Sequence, residues 1–172
     1  MSPTLSTVIG GSYGSGTNEF AYPSGIFVDE SASKAIYVAD TWNHRIQKWM
    51  PGATSGKTVA GQTGISGARL NQLAVPATLI VDINENMLIV DAGNNRIMLW
   101  TIGSSHGTQI AGTSTHGVLP NQLFSPAAIS VDSMENLYVA DFNNNRIQKF
   151  SVSCPTTTTR TTTQSATFTS KD

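Results

Sequence analysis

Charge is scarce in this 172-residue chain. Asp, Glu, Lys and Arg together make up 12% of it, against about a quarter in an average globular domain. The formal net charge is −1, so nothing in the electrostatics points to nucleic acid or an anionic membrane surface as a partner. Cysteine is nearly absent: Cys154 has no second thiol for an internal disulfide, which leaves only pairing with another chain open. No apolar run approaches the ~18 residues that a spanning helix needs. Met1-Ser2-Pro3-Thr4 lacks the basic start and apolar stretch of a secretory signal, so the sequence names no compartment.

What is present suits short strands. Hydrophobic residues make up 39% of the chain, which also holds 15 glycines and many Thr, Ser and Asn residues, the mix expected of strands joined by tight turns. The length is that of one domain able to bury a core.

The chain also repeats itself. Tyr37 to Trp49 reads Y-V-A-D-T-W-N-H-R-I-Q-K-W, Ile89 to Trp100 reads I-V-D-A-G-N-N-R-I-M-L-W, and Tyr138 to Phe150 reads Y-V-A-D-F-N-N-N-R-I-Q-K-F. Asp40, Asp91 and Asp141 stand 51 and 50 residues apart, as do Arg45, Arg96 and Arg146. Such a period is the signature of propeller blades, each a four-stranded sheet. Gly25 to Asp29, Leu79 to Asp82 and Ile129 to Asp132 read as first strands. The next strand ends at the repeated Asp, and an Asn-rich turn leads into Arg-Ile and a third strand, since Asn tolerates positive φ and bonds its own backbone. Lys57 to Ala60 and Gln109 to Ala111 read as outer strands.

The expected fold is therefore all-β: three four-stranded propeller blades over about 7–57, 58–107 and 108–154. The Thr/Ser-rich segment 155–172 cannot bury a hydrophobic face and is expected to be disordered. Its composition suits a glycosylated stalk as well as a plain linker and leans towards an extracellular setting. Thr7 to Gly10 resembles an outer strand with no blade before it, and the third unit has no outer strand after it. Two remedies are expected: further blades in a longer chain, or a head-to-tail homodimer in which Thr7 to Gly10 pairs with Arg146 to Val152 of its partner.

At Tyr37 to Trp49 the sequence resembles an NHL repeat, with that family's Asn-His pair at Asn43-His44. Asn95 and Asn145 replace the His in the other two units. The resemblance covers about residues 7–152. It implies blades of a propeller that is usually six-bladed, so that the three units are half of a six-bladed propeller. It also implies binding of proteins, RNA or other ligands, with a minority of relatives being metal-dependent amidating lyases or lactonase-like hydrolases.

The chemistry-bearing residues divide into two groups. Asp40/Arg45, Asp91/Arg96 and Asp141/Arg146 recur in every unit, whereas catalysis needs one asymmetric constellation; they read as scaffold, each Asp capping a hairpin tip. His44, His106 and His116 lack metal-ligand spacing, and no Gly-x-Ser-x-Gly elbow or phosphate loop occurs. No catalytic, metal or cofactor site is expected. The hairpin tips share a face with the loops between blades, which places Trp42, Asn43, His44, Asn94, Asn95, Phe142, Asn144 and Asn145 there as candidate contacts. Trp42 and Phe142 stand out, because an aromatic at a tip is not needed for packing. The function read from the sequence is a non-enzymatic binding or scaffolding module for a protein or small ligand, the alternative being part of a metal-dependent propeller enzyme of the amidating-lyase or lactonase type.

Overall fold

The computed structural model describes residues 8–31 and 33–151. The first blade is β1 (Gly25–Val28), β2 (Ile36–Asp40), β3 (Arg45–Trp49) and β4 (Lys57–Gly61). The second is β5 (Pro76–Val81), β6 (Met87–Asp91), β7 (Arg96–Trp100) and β8 (Thr108–Gly112). The third has β9 (Ala128–Val131), β10 (Leu137–Asp141) and β11 (Arg146–Phe150). Strands are hydrogen-bonded in chain order in all three sheets, and every pairing is antiparallel. The first strands β1, β5 and β9 lie side by side. No helix among the described residues is long and apolar enough to cross a membrane.

Each β2–β3-type hairpin turns through three residues of 3-10 geometry: Thr41–Asn43, Ala92–Asn94 and Phe142–Asn144. The residue that closes the turn is left-handed, with φ of 55° at His44 and 53° at Asn95 and Asn145. Asn and His are among the residues that enter the left-handed region most readily, which accounts for their place at the closing position. The turn sets the register, so Asp40 lies directly opposite Arg45, Asp91 opposite Arg96 and Asp141 opposite Arg146. Across from the arginines, Gly61 and Gly112 have positive φ, and a Cβ on either would strike the carbonyl oxygen of His44 or Asn95. Only glycine fits.

Alternation along the strands gives each blade two packing faces. Ala35, Tyr37, Ala39 and Ile46 of blade one meet Leu79, Val81, Met87, Ile89, Met98 and Trp100 of blade two in one buried cluster. On the opposite face of blade two, Leu88, Val90, Ile97 and Leu99 meet Leu137 and Val139 of blade three. Leu73 and Leu123, each in the loop leading into its blade, are completely buried in these seams. Phe20 holds the same place before blade one and covers Val38 and Trp49 together with Ile9.

One expectation about strands is revised. The third sheet has three strands, as expected from its missing outer strand, but residues 8–11 form no strand, so among the described residues the row reads four, four, three. The expected Thr7-to-Gly10 strand has Thr7 outside the described residues and no ladder in the rest. Cys154 and the 155–172 segment also lie outside the described residues.

Candidate functional site

The three Asp–Arg pairs form one network repeated almost atom for atom. Arg45, Arg96 and Arg146 each donate Nε–H to the Oδ2 of Asp40, Asp91 or Asp141 at 2.7 Å. Asn43, Asn94 and Asn144 donate to the same oxygen at 2.8 Å and also to a loop carbonyl, that of Gly14, Gly67 or Gly117. The other carboxylate oxygen accepts a backbone N–H from the loop leading into the blade, at Ala21, Ala74 or Phe124. The guanidinium tips reach that loop's carbonyls: Ser15, Gly16 and Glu19 for Arg45, Ala68, Arg69 and Gln72 for Arg96, Val118, Leu119 and Gln122 for Arg146. Each Asp thus grips the loop leading into the blade rather than capping the tip, where no side-chain cap bond forms. The physical reason is direction: the Asp ends its strand with its carboxylate facing the loop that folds over the sheet. These charges and amides are consumed internally, and the loop is their ligand.

The network sits in different surroundings from blade to blade. Burial is the largest influence on both Asp91 and Asp141, and it raises them. In Asp91 it prevails, and the carboxyl rises above its ordinary value. In Asp141 the Asn144 amide, the Phe124 N–H and Arg146 outweigh it and hold the carboxyl low. A second aspartate in each blade closes the first hairpin. Asp82 Oδ1 accepts the N–H of Asn84 and Asn86, and Asp132 those of Met134 and Asn136. Hydrogen bonds led by the Asn136 side chain pull Asp132 down to about 2. Asp29 binds Ser31 and Ser33 and is lowered likewise.

The tip residues named from the sequence separate accordingly. His44 Nδ1 accepts the Val75 N–H at 3.1 Å, and Asn95 Oδ1 accepts the Ser125 N–H at 2.9 Å, so both stitch one blade to the next. Trp42, Phe142 and Asn145 are the exposed members. The two aromatics are not equivalents: Phe142 follows its Asp directly, in the register of Thr41, whereas Trp42 is one residue further on. Thr41 faces blade two and donates to Pro76 O at 3.0 Å. Trp42 instead meets Tyr22 at 5.1 Å between ring centroids, and Tyr22 meets Tyr13 edge-on at 5.9 Å. All three rings are exposed, Trp42 by 62%.

This aromatic trio is the most distinctive open feature of the loop face. Sequence reading found Trp42 and missed the two tyrosines, which come from the loop before blade one. The signal was there: Tyr22 occupies the column of Val75 and Ser125, just before the repeated proline. A second, smaller contact pairs His116 with Phe124 at 4.9 Å. Among the described residues, no three His, Cys, Asp or Glu side chains come together in a way that could hold a metal ion.

The family model described as NHL repeat matches residues 20–49 and 125–150. No curated protein matches the sequence. Among solved structures, the chain is similar to an auxiliary nutrient binding protein from Bacteroides thetaiotaomicron, at TM-score 0.60 and 21% identity, covering 72% of this chain and 36% of that one. It is also similar to a protein of unknown function from the same organism, at TM-score 0.60 and 18% identity, covering 69% of this chain and 32% of that one. The chain thus spans about a third of the length of these structures, and the likeness is one of fold. Residues 20–49 and 125–150 match the NHL repeat, and the blade between them has the same run of antiparallel hairpins with the same Asp–Arg pair.

Proposed function

We propose that this chain is a non-enzymatic binding module whose docking platform is the trio Tyr13, Tyr22 and Trp42 on the loop face. The exposure of three touching aromatic rings at one end of a rigid scaffold carries the reading. Aromatic side chains offer large contact area at low cost in conformational freedom, and isolated exposed ones need no explanation whereas contiguous ones do. The surrounding loops support it, because the arginine network ties them down and little ordering remains for binding to impose. The platform carries few free charges, so the ligand it fits is neutral or weakly charged, with apolar surface to lay on the rings.

The molecule contains its own reporter. Trp49 and Trp100 are buried and Trp42 is exposed, so a ligand on the platform changes the emission of Trp42 alone. Screening a glycan array and a peptide array, then titrating the hits by tryptophan fluorescence, tests the reading. Trp42→Ser should abolish the response and shift stability by less than about 0.5 kcal/mol, the usual range for a surface change. Hits that bind Trp42→Ser as tightly as the parent would move the site elsewhere.

A further inference from the structure

The two ends of the blade row are the two halves of one interface that the chain already makes twice. In the first seam Ile46 shares a buried cluster with Leu79 and Val81, and in the second Ile129 and Val131 pack against the cluster that holds Ile97. Ile46 and Ile97 are fully buried, whereas Ile147, in the same register, is 69% exposed. On the opposite side, Leu79 is 4% exposed and Ile26, in its register on blade one, 65%. Val28 is likewise open where Val81 is closed.

The polar stitch follows the same logic. His44 takes the Val75 N–H and Asn95 takes the Ser125 N–H. The remaining members of that set are Asn145 and Tyr22, at opposite ends of the row. Tyr22 already has the backbone form its counterparts adopt, with φ of 48° beside 50° at Val75 and 49° at Ser125. A concavity of about 490 Å³ lies beside Asn145, between Phe142, Arg146 and Ile147, on the face that in the other blades receives the next one.

We propose that the open face of blade three receives the open face of blade one from a second copy of this chain, so that two arcs close into a six-bladed ring. The complement that blade three needs is carried by the same molecule, with blade two standing between the halves, so a second copy brings the missing half to each end. A two-fold axis then covers both open faces at once and leaves no further site for growth. Six blades fall within the range at which propellers close. One position fits less well. Lys48 pairs with Glu85 at 2.7 Å, but blade one has Lys34 at the matching left-handed turn position, so Lys149 meets a lysine. Like charges there weaken the contact relative to the seams within the chain.

Sedimentation of the full chain over a range of concentrations, in reductant so that Cys154 cannot link copies, tests the proposal. The parent should show a reversible monomer–dimer equilibrium that stops at the dimer. Ile147→Asp and Ile26→Asp should each weaken it at least tenfold with unchanged circular dichroism, since both side chains are exposed. Lys149→Glu should tighten it several-fold. A folded parent that stays monomeric at its solubility limit would overturn the proposal and assign the faces to further blades. So would a dimer indifferent to all three substitutions, or a mass that keeps growing with concentration.

Discussion

Blades two and three carry the same hairpin, and they teach what a blade gains from a neighbour. Arg96 and Arg146 make matching bonds to their aspartates and loops, yet their side chains are 2% and 29% exposed. Ile97 and Ile147 differ more. The local geometry is thus written into each repeat, while the energetic weight of that geometry depends on what is packed against it. Asp91 and Asp141 are both closed to solvent yet shift in opposite directions, because the same donors compete with a stronger desolvation where a further blade covers the site.

The sharpest way to break this comparison is Asp91→Ala. It strands the Arg96 guanidinium in the core, and loss of one partner of a buried pair costs about 3–5 kcal/mol. Denaturant unfolding measures it, and a cost under about 1 kcal/mol would mean that water already reaches the pair.

Core packing gives the next largest contrast. Ile97→Ala opens a cavity between two blades and should cost about 2–5 kcal/mol. Ile147→Ala, in a monomeric sample, should cost less than about 0.5 kcal/mol, in line with surface substitutions. Equal costs would show that blade three is covered by something other than solvent.

Acid gives the smallest effect. Asp29, Asp132 and Asp141 are held below their ordinary values, so their contribution is complete above pH ~4 and is lost as pH falls through the folded-state values, about 2 for Asp132. Asp91 is raised and acts with the opposite sign: its contribution is present below pH ~4 and fades as pH rises through its folded value. Acid unfolding followed by resolved amide signals should therefore disturb the third blade's hairpins before the second's. Simultaneous loss would deny the difference in surroundings.

Much of this fold was legible in the residues, and the reasons are specific. The five-residue step from Asp to Arg recurs because the turn admits one register, and the Asn-rich tips announce the left-handed residue that closes it. Outer strands at Lys57 and Gln109 followed from the period. Thr7 to Gly10 resembled such a strand in composition, but a strand also needs a free edge beside it, and blade one's own edge does not lie there. The site was less legible. Tyr13 and Tyr22 reach Trp42 through a loop whose path is set by Arg45, which no local pattern reports. Phe142 looked like the partner of Trp42 because both are tip aromatics, although they stand one register apart and face different ways.

The claim beneath all of this is that the Asp–Arg network is scaffold and that cover sets its strength. Unfolding free energies of Asp91→Ala and Asp141→Ala, measured side by side on monomeric protein, test it most directly. Blade three's arginine can rehydrate, so Asp141→Ala should cost about 1–3 kcal/mol, at least about 1 kcal/mol less than Asp91→Ala. Equal penalties, or undiminished stability in both with loss of ligand binding, would contradict the account.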